Sequence, residues 1–124
     1  MKVSVDGLED AVRAELEQYA SEVQEEVDSA VVRVARRCLA QIRRNSPKKT
    51  GDYRKGWTMK TEKGRLNTVA LIYNRTRYSL IHLLEFGYQK VTGGRVEGEP
   101  HVEPAEQQAE RELLTEITDI LRGR

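Results

Sequence analysis

A lone cysteine, Cys38, excludes an internal disulfide and argues against a thiolate metal cluster. With one Phe and one Trp, the core must be mostly aliphatic. No apolar run approaches the roughly 20 residues needed to cross a bilayer, so no membrane partner is expected. The opening MKVSVDGLED lacks an apolar signal core and turns acidic at once, which predicts a protein cytosolic when made. Catalytic patterns are missing too. His82 and His101 lie far apart with no cysteine near either, and metal sites need clustered ligands. His82, inside an apolar burst, reads as a hydrogen-bonded structural residue. Ser46, Ser79 and Cys38 have no base-and-orienter motif beside them. Gly93-Gly94 lacks the spacing of a phosphate cradle. Glu97, Glu99 and Glu103 read as carboxylates that solvate a loop or meet arginines. The expectation is no catalytic residue, no metal and no cofactor.

What is present is charge, in blocks. The net charge of +1 over 124 residues hides −7 over residues 1–32, +10 over 33–65, +3 over 66–96 and −5 over 97–124. Such runs read either as solvated faces or as opposite blocks that meet between subunits, with nucleic acid as a further partner for the basic one.

The patterning predicts one α+β domain over residues 1–124: a long N-terminal helix (6–45), a β-hairpin (56–74) forming a small antiparallel sheet, a short middle helix (78–87), a variable loop (88–100) and a C-terminal helix (103–122). After an extended start, Asp6 is placed as the N-cap of the first helix, with Glu9 completing a capping-box variant. An apolar stripe follows through Leu8, Val12, Leu16, Tyr19, Val23, Val27, Ala30, Val31, Val34, Cys38 and Ile42, at helical steps. Early acids and late arginines suit the helix dipole. Ser46-Pro47 ends it. Residues 7–44 would span roughly 57 Å at 1.5 Å each, whereas a domain of this size has a radius of gyration of about 14 Å. Either the helix breaks or its overhanging stripe packs on a neighbouring chain, and no Gly or Pro interrupts the stripe.

Pro47 and Thr50-Gly51 carry turn chemistry. Trp57, Met59 and Thr61 alternate with Thr58 and Lys60 as in a half-buried strand. Lys63-Gly64 makes a turn. In the next strand, residues 66–73, Val69, Leu71 and Tyr73 share one face and Ala70 and Ile72 the other, so both faces are apolar and a central or two-side-covered strand is expected. Residues 78–85 fit a short helix or a strand; Leu80, Ile81 and Leu84 on one face favour helix, with Gly87 as its stop. Residues 88–91 and 95–97 suit short strands around Gly93-Gly94. Pro104 suits the first turn of a last helix, whose stripe is Ala105, Ala109, Leu113, Ile117, Ile120 and Leu121.

Arg43, Arg44, Lys48, Lys49, Arg54 and Lys55 form a basic block with Tyr53 inside it and Trp57 just after. Cations interleaved with aromatics can track a phosphate backbone, so a small nucleic-acid-binding module using residues 43–57 is one functional reading. The plainer one is a solvated helix end whose Trp57 belongs to the core.

Three motifs occur in order: Pro47-Lys-Lys-Thr50-Gly51-Asp-Tyr-Arg54, then Tyr78-Ser-Leu-Ile-His-Leu-Leu-Glu85-Phe86-Gly87, then Pro100-His-Val-Glu-Pro104-Ala105. With the long helix and hairpin around them, the order resembles the small neck and tail-completion (head–tail joining) proteins of long-tailed double-stranded DNA bacteriophages and prophages. Tyr88 stands where that pattern more often has Thr or Ser, and His101 where it has a larger aromatic or aliphatic residue. The resemblance implies a structural virion protein at the head–tail junction, assembled in the host cytoplasm, and not an enzyme. It implies a homo-oligomeric ring contacting neighbouring neck and tail proteins, with double-stranded DNA passing through the channel. On this reading Tyr88, Gln89, Lys90, Val91, Arg95, Val96, Glu97 and Glu99 are the candidate ring-docking contacts. Arg43, Arg44, Lys48, Lys49, Arg54 and Lys55 are the candidate contacts to channel DNA or an acidic partner.

Overall fold

A computed structural model of the chain describes residues 5–47, 51–64 and 68–123, with side chains from residue 9 onward. Helix α1 runs unbroken from Val5 to Asn45. It is already helical at Val5, so Asp6 lies inside the helix and not at its cap. A one-turn helix α2 (Asp52–Gly56) leads into a hairpin of β1 (Trp57–Lys63) and β2 (Thr68–Asn74). A 3-10 turn (Tyr78–Leu80) continues into α3 (Ile81–Phe86). A second, smaller hairpin follows, β3 (Gly87–Gln89) and β4 (Arg95–Glu97), and α4 (Glu103–Arg122) closes the chain. The fold class is α+β, as the patterning predicts. Helix α2 was not expected; it follows Gly51 in the left-handed region, where glycine meets no steric penalty.

α1 is the spine. The β1–β2 hairpin packs along one side of its second half and α4 runs antiparallel along another. Cys38, Ile42, Tyr53, Trp57 and Ala105 form the core, with Ile72, Leu80, Ile81, Leu84 and Ala109 packed around it. At the seam with α4, Arg37 bridges Glu112 (3.0 Å) and Glu116 (3.2 Å), and Arg33 reaches Glu116 (3.4 Å). The basic middle of the chain and its acidic end therefore meet within one molecule. These pairs are half-exposed and orient the helices more than they stabilise them.

Two expectations change. β2 is not a two-side-covered strand: Trp57 pairs with Asn74 through to Lys63 with Thr68 in a sheet of only two strands. Its inner face (Ala70, Ile72) lies toward α1, while Val69, Leu71 and Tyr73 are 49%, 55% and 38% exposed. Its start falls at Thr68, and Leu66 lies outside the described residues. The α1 stripe also divides. From Ala30 to Ile42 it is core, but residues 9–21 are exposed, Val12, Leu16 and Tyr19 included. The helix does not break; that exposed segment is roughly 20 Å long at 1.5 Å per residue.

Candidate functional site

The best-defined constellation is buried between α2, α3 and the start of α4. Helix α4 has no side-chain cap of its own. Its first amides would be orphan donors. Glu85, in the last turn of α3 and 3% exposed, supplies the acceptors from elsewhere in the chain. Its Oε1 accepts from the N–H groups of His101 and Val102, and its Oε2 from that of Glu103, all at 2.9 Å. A carboxylate at a helix N-terminus also meets the positive end of the helix dipole. Burial works to raise the Glu85 pKa, but the amides of Glu103, His101 and Val102 outweigh it and hold the carboxyl below its ordinary value.

His101 completes the arrangement. Its Nδ1 lies 2.7 Å from the Glu99 carbonyl oxygen and 3.1 Å from Glu85 Oε1, and its Nε2 lies 2.5 Å from the Tyr53 hydroxyl. A ring protonated at Nδ1 donates to the Glu99 oxygen and accepts the Tyr53 O–H at Nε2, which satisfies each group. Burial, then the nearby Glu85 charge, pushes the Tyr53 phenol well above the usual tyrosine range. Tyr53, Trp57 and His101 meet edge to face, with ring centroids 5.4–6.3 Å apart. A carboxylate, an imidazole and a phenol in a row resemble an acid–base relay. His101 is 1% exposed and Tyr53 2%, however, so the row has no opening for a reacting molecule. It is a clamp. The structural histidine is His101; His82 is exposed and rests against Phe86, ring centroids 5.0 Å apart.

The clamp holds the β3–β4 hairpin by its base. Glu99 donates its N–H to the Leu84 carbonyl (2.8 Å), and Gly87 pairs with Glu97. A Cβ on Gly87 would run into the Val96 carbonyl, and one on Gly98 into the Glu85 carbonyl, so both positions require glycine. Beyond this base the hairpin stands in solvent. Gln89, Lys90, Val91, Glu97 and Glu99 are exposed, Tyr88 is at the margin, and Val96 is half-buried. Arg95 is partly spent at home, donating to the Phe86 carbonyl (2.7 Å). The predicted docking residues thus form one projecting ribbon.

The basic candidates divide. Arg43 donates to the Trp57 carbonyl. Arg54 donates to the carbonyls of Arg44 (2.8 Å) and Ser46 (3.3 Å), capping the end of α1. Arg44 and Lys55 are exposed and line a shallow depression with them. Lys48 and Lys49 lie outside the described residues. Trp57 and Tyr53 are core residues, so neither is available to stack on a base.

These positions sit inside a recognisable unit. The family model described as "Bacteriophage HK97-gp10, putative tail-component" matches residues 10–87. The chain belongs to this HK97-gp10-like family. Comparison with curated proteins and with solved structures returns no match. A phage tail component is a structural protein of the virion, and its work is contact with other phage structural proteins. The stretch matched to the HK97-gp10-like family runs from α1 through Gly87, so Arg54, Tyr53 and Glu85 fall inside it. His101, most of the projecting hairpin and α4 fall outside. Among the described residues no helix is long and apolar enough to cross a membrane, and no cluster of His, Cys, Asp and Glu suits a metal.

Sequence reasoning missed the roles of Arg54, Glu85 and His101. One signal was available for Glu85. A carboxylate closing the apolar burst of residues 80–84 calls for buried donors, and the uncapped start of α4 supplies them.

Proposed function

We propose that this protein is a ring subunit of the phage head–tail connection, a neck or tail-completion protein assembling by protein–protein contacts around the DNA channel. The observation that carries this is the projecting β3–β4 hairpin, anchored by a buried clamp within a phage tail-component family. A tip fastened that firmly at its base is suited to presenting a fixed shape to a neighbour, which lowers the ordering cost of binding. Tyr88, Gln89, Lys90, Val91, Arg95, Val96, Glu97 and Glu99 are its contact residues. Arg44 and Lys55, with Lys48 and Lys49, are the cations for channel DNA or an acidic partner; Arg43 and Arg54 mainly hold the helix end and the strand.

Two measurements test the reading. Electron microscopy of the purified protein, alone and with neck and tail partners, should show rings, and the protein should be found in purified virions. A strictly monomeric protein that is absent from virions sinks the proposal. Replacing residues 89–95 with a short turn should leave the fold intact, by circular dichroism, and block particle completion. Normal infectivity from that variant removes the hairpin assignment.

A further inference from the structure

Among the described residues, two of the exposed apolar surfaces bear on self-assembly. One is the exposed stripe of α1 at Val12, Leu16 and Tyr19, which are 50%, 63% and 43% exposed. The other is the outer face of the β1–β2 sheet, where Val69, Leu71 and Tyr73 stand beside Thr58, Lys60 and Glu62. The β2 sequence is that of a strand covered on both faces. α1 covers the inner face. It does not reach the outer face, which lies on the opposite side of the same two-stranded sheet.

We infer that the outer sheet face receives the exposed α1 segment of a second copy of this chain. The lengths agree. Val12 to Tyr19 covers about 10 Å of helix, and Val69 to Tyr73 about 13 Å of strand. The charges agree as well. Residues 9–19 carry Glu9, Asp10, Glu15 and Glu17 against Arg13 alone, while exposed Lys55 and Arg75 flank the Trp57–Asn74 end of the sheet and Lys60 on the outer face pairs with Glu62 (3.2 Å). The acidic end of the chain already meets its basic counterpart, across the α1–α4 seam. Residues 9–19 have no such seam: all are exposed, and Arg13 pairs with Asp10, three residues away. The competing seat is the apolar groove of about 630 Å³ between α4 and β2, but its α4 wall bears Glu106 and Glu110, which repel an acidic helix. The contact joins two different patches, so it is heterologous and propagates from copy to copy until it closes. This inference rests on the ring reading and names the surfaces that build the ring.

Sedimentation and light scattering of the full chain across a concentration series test it. Leu16→Glu and Leu71→Glu change exposed residues, so each should keep the wild-type circular dichroism and lose self-association. Mixing the two variants should restore association only to a one-to-one pair, since each retains one working patch. In a Cys38→Ala background, Leu16→Cys with Leu71→Cys should cross-link into a ladder on oxidation, and neither single cysteine should do so. Wild-type chains that stay monomeric at the highest concentration overturn this inference, and the ring reading falls with it only if the protein is also absent from virions. Rings that persist in both Glu variants overturn this inference alone. Association lost on Ala109→Glu but kept in the other two assigns the groove instead.

Discussion

The first turn of α4 lies under a carboxylate delivered from α3, whereas residues 9–21 of α1 stand wholly in solvent. Both belong to amphipathic helices, and both come from acidic blocks of the chain. The difference lies in what the remaining chain invests in each. Around α4 it commits Glu85, His101, Tyr53 and two glycines, all buried or sterically fixed. Around the start of α1, among the described residues, it commits nothing beyond the helix itself. A buried polar network is costly unless fully satisfied, and when satisfied it fixes one arrangement. The clamp therefore reads as the part whose geometry is settled before assembly, and the exposed helix as the part whose geometry a partner completes.

Removing the clamp's carboxylate breaks the comparison most strongly. Glu85→Ala leaves three amide donors, those of His101, Val102 and Glu103, without their acceptor, at a cost of about 3–5 kcal/mol. Domains of this kind are stable by only about 5–15 kcal/mol, so thermal and urea unfolding should show a large loss. Glu85→Gln keeps one acceptor oxygen but turns a donor toward an N–H, and should fall between. The same residue predicts a pH dependence. Its folded pKa lies below its ordinary value of 4.5, so its contribution is fully present above about pH 4.5 and is lost as the pH falls through the folded value. The acid limb of wild-type stability should therefore be steeper than that of Glu85→Gln. Equal limbs would show that the carboxylate is not held ionised.

Gly87→Ala ranks next. Gly87 has φ +82° and ψ 178°, a region open essentially to glycine alone, and the added methyl group meets the Val96 carbonyl. A loss of about 2–4 kcal/mol is expected, with the hairpin amides near 95–98 exchanging faster by hydrogen exchange. Unchanged exchange there would mean the ribbon is not fastened at its base. Arg54→Ala removes donors from two carbonyls at the end of α1, at about 1–2 kcal/mol. Arg44→Ala, one residue from the same helix end, serves as the control and should cost under about 0.5 kcal/mol.

The same contrast explains what could be read from the sequence. The long helices, the first hairpin and the short helix were legible because apolar spacing at 3.6 or 2 residues records which face is buried. The three motifs located the clamp without revealing it. Tyr53, Glu85 and His101 lie far apart along the chain, and a hydrogen bond between distant residues leaves no periodic trace. His82 drew attention as a histidine among leucines, yet the buried one is His101, which sits between two prolines. Asp6 and Glu9 had the right spacing for a cap, but the helix begins before them. β2 was misjudged for a more useful reason. Its two apolar faces were correctly perceived, and one of them has no cover among the described residues.

The smallest effect sharpens the comparison most. Leu16→Ser alters a residue that is 63% exposed, so in dilute solution it should shift stability by less than about 0.5 kcal/mol. Raising the protein concentration should separate the two proteins. A contact made only by folded copies stabilises the folded state by mass action, so the wild-type Tm should climb with concentration. Leu16→Ser should lack that climb, while Glu85→Ala, lower at every concentration, should retain its slope as long as it folds. Calorimetry over a hundredfold concentration range reads both effects in one series. A wild-type Tm that stays flat would leave the α1 stripe without a partner among its own kind.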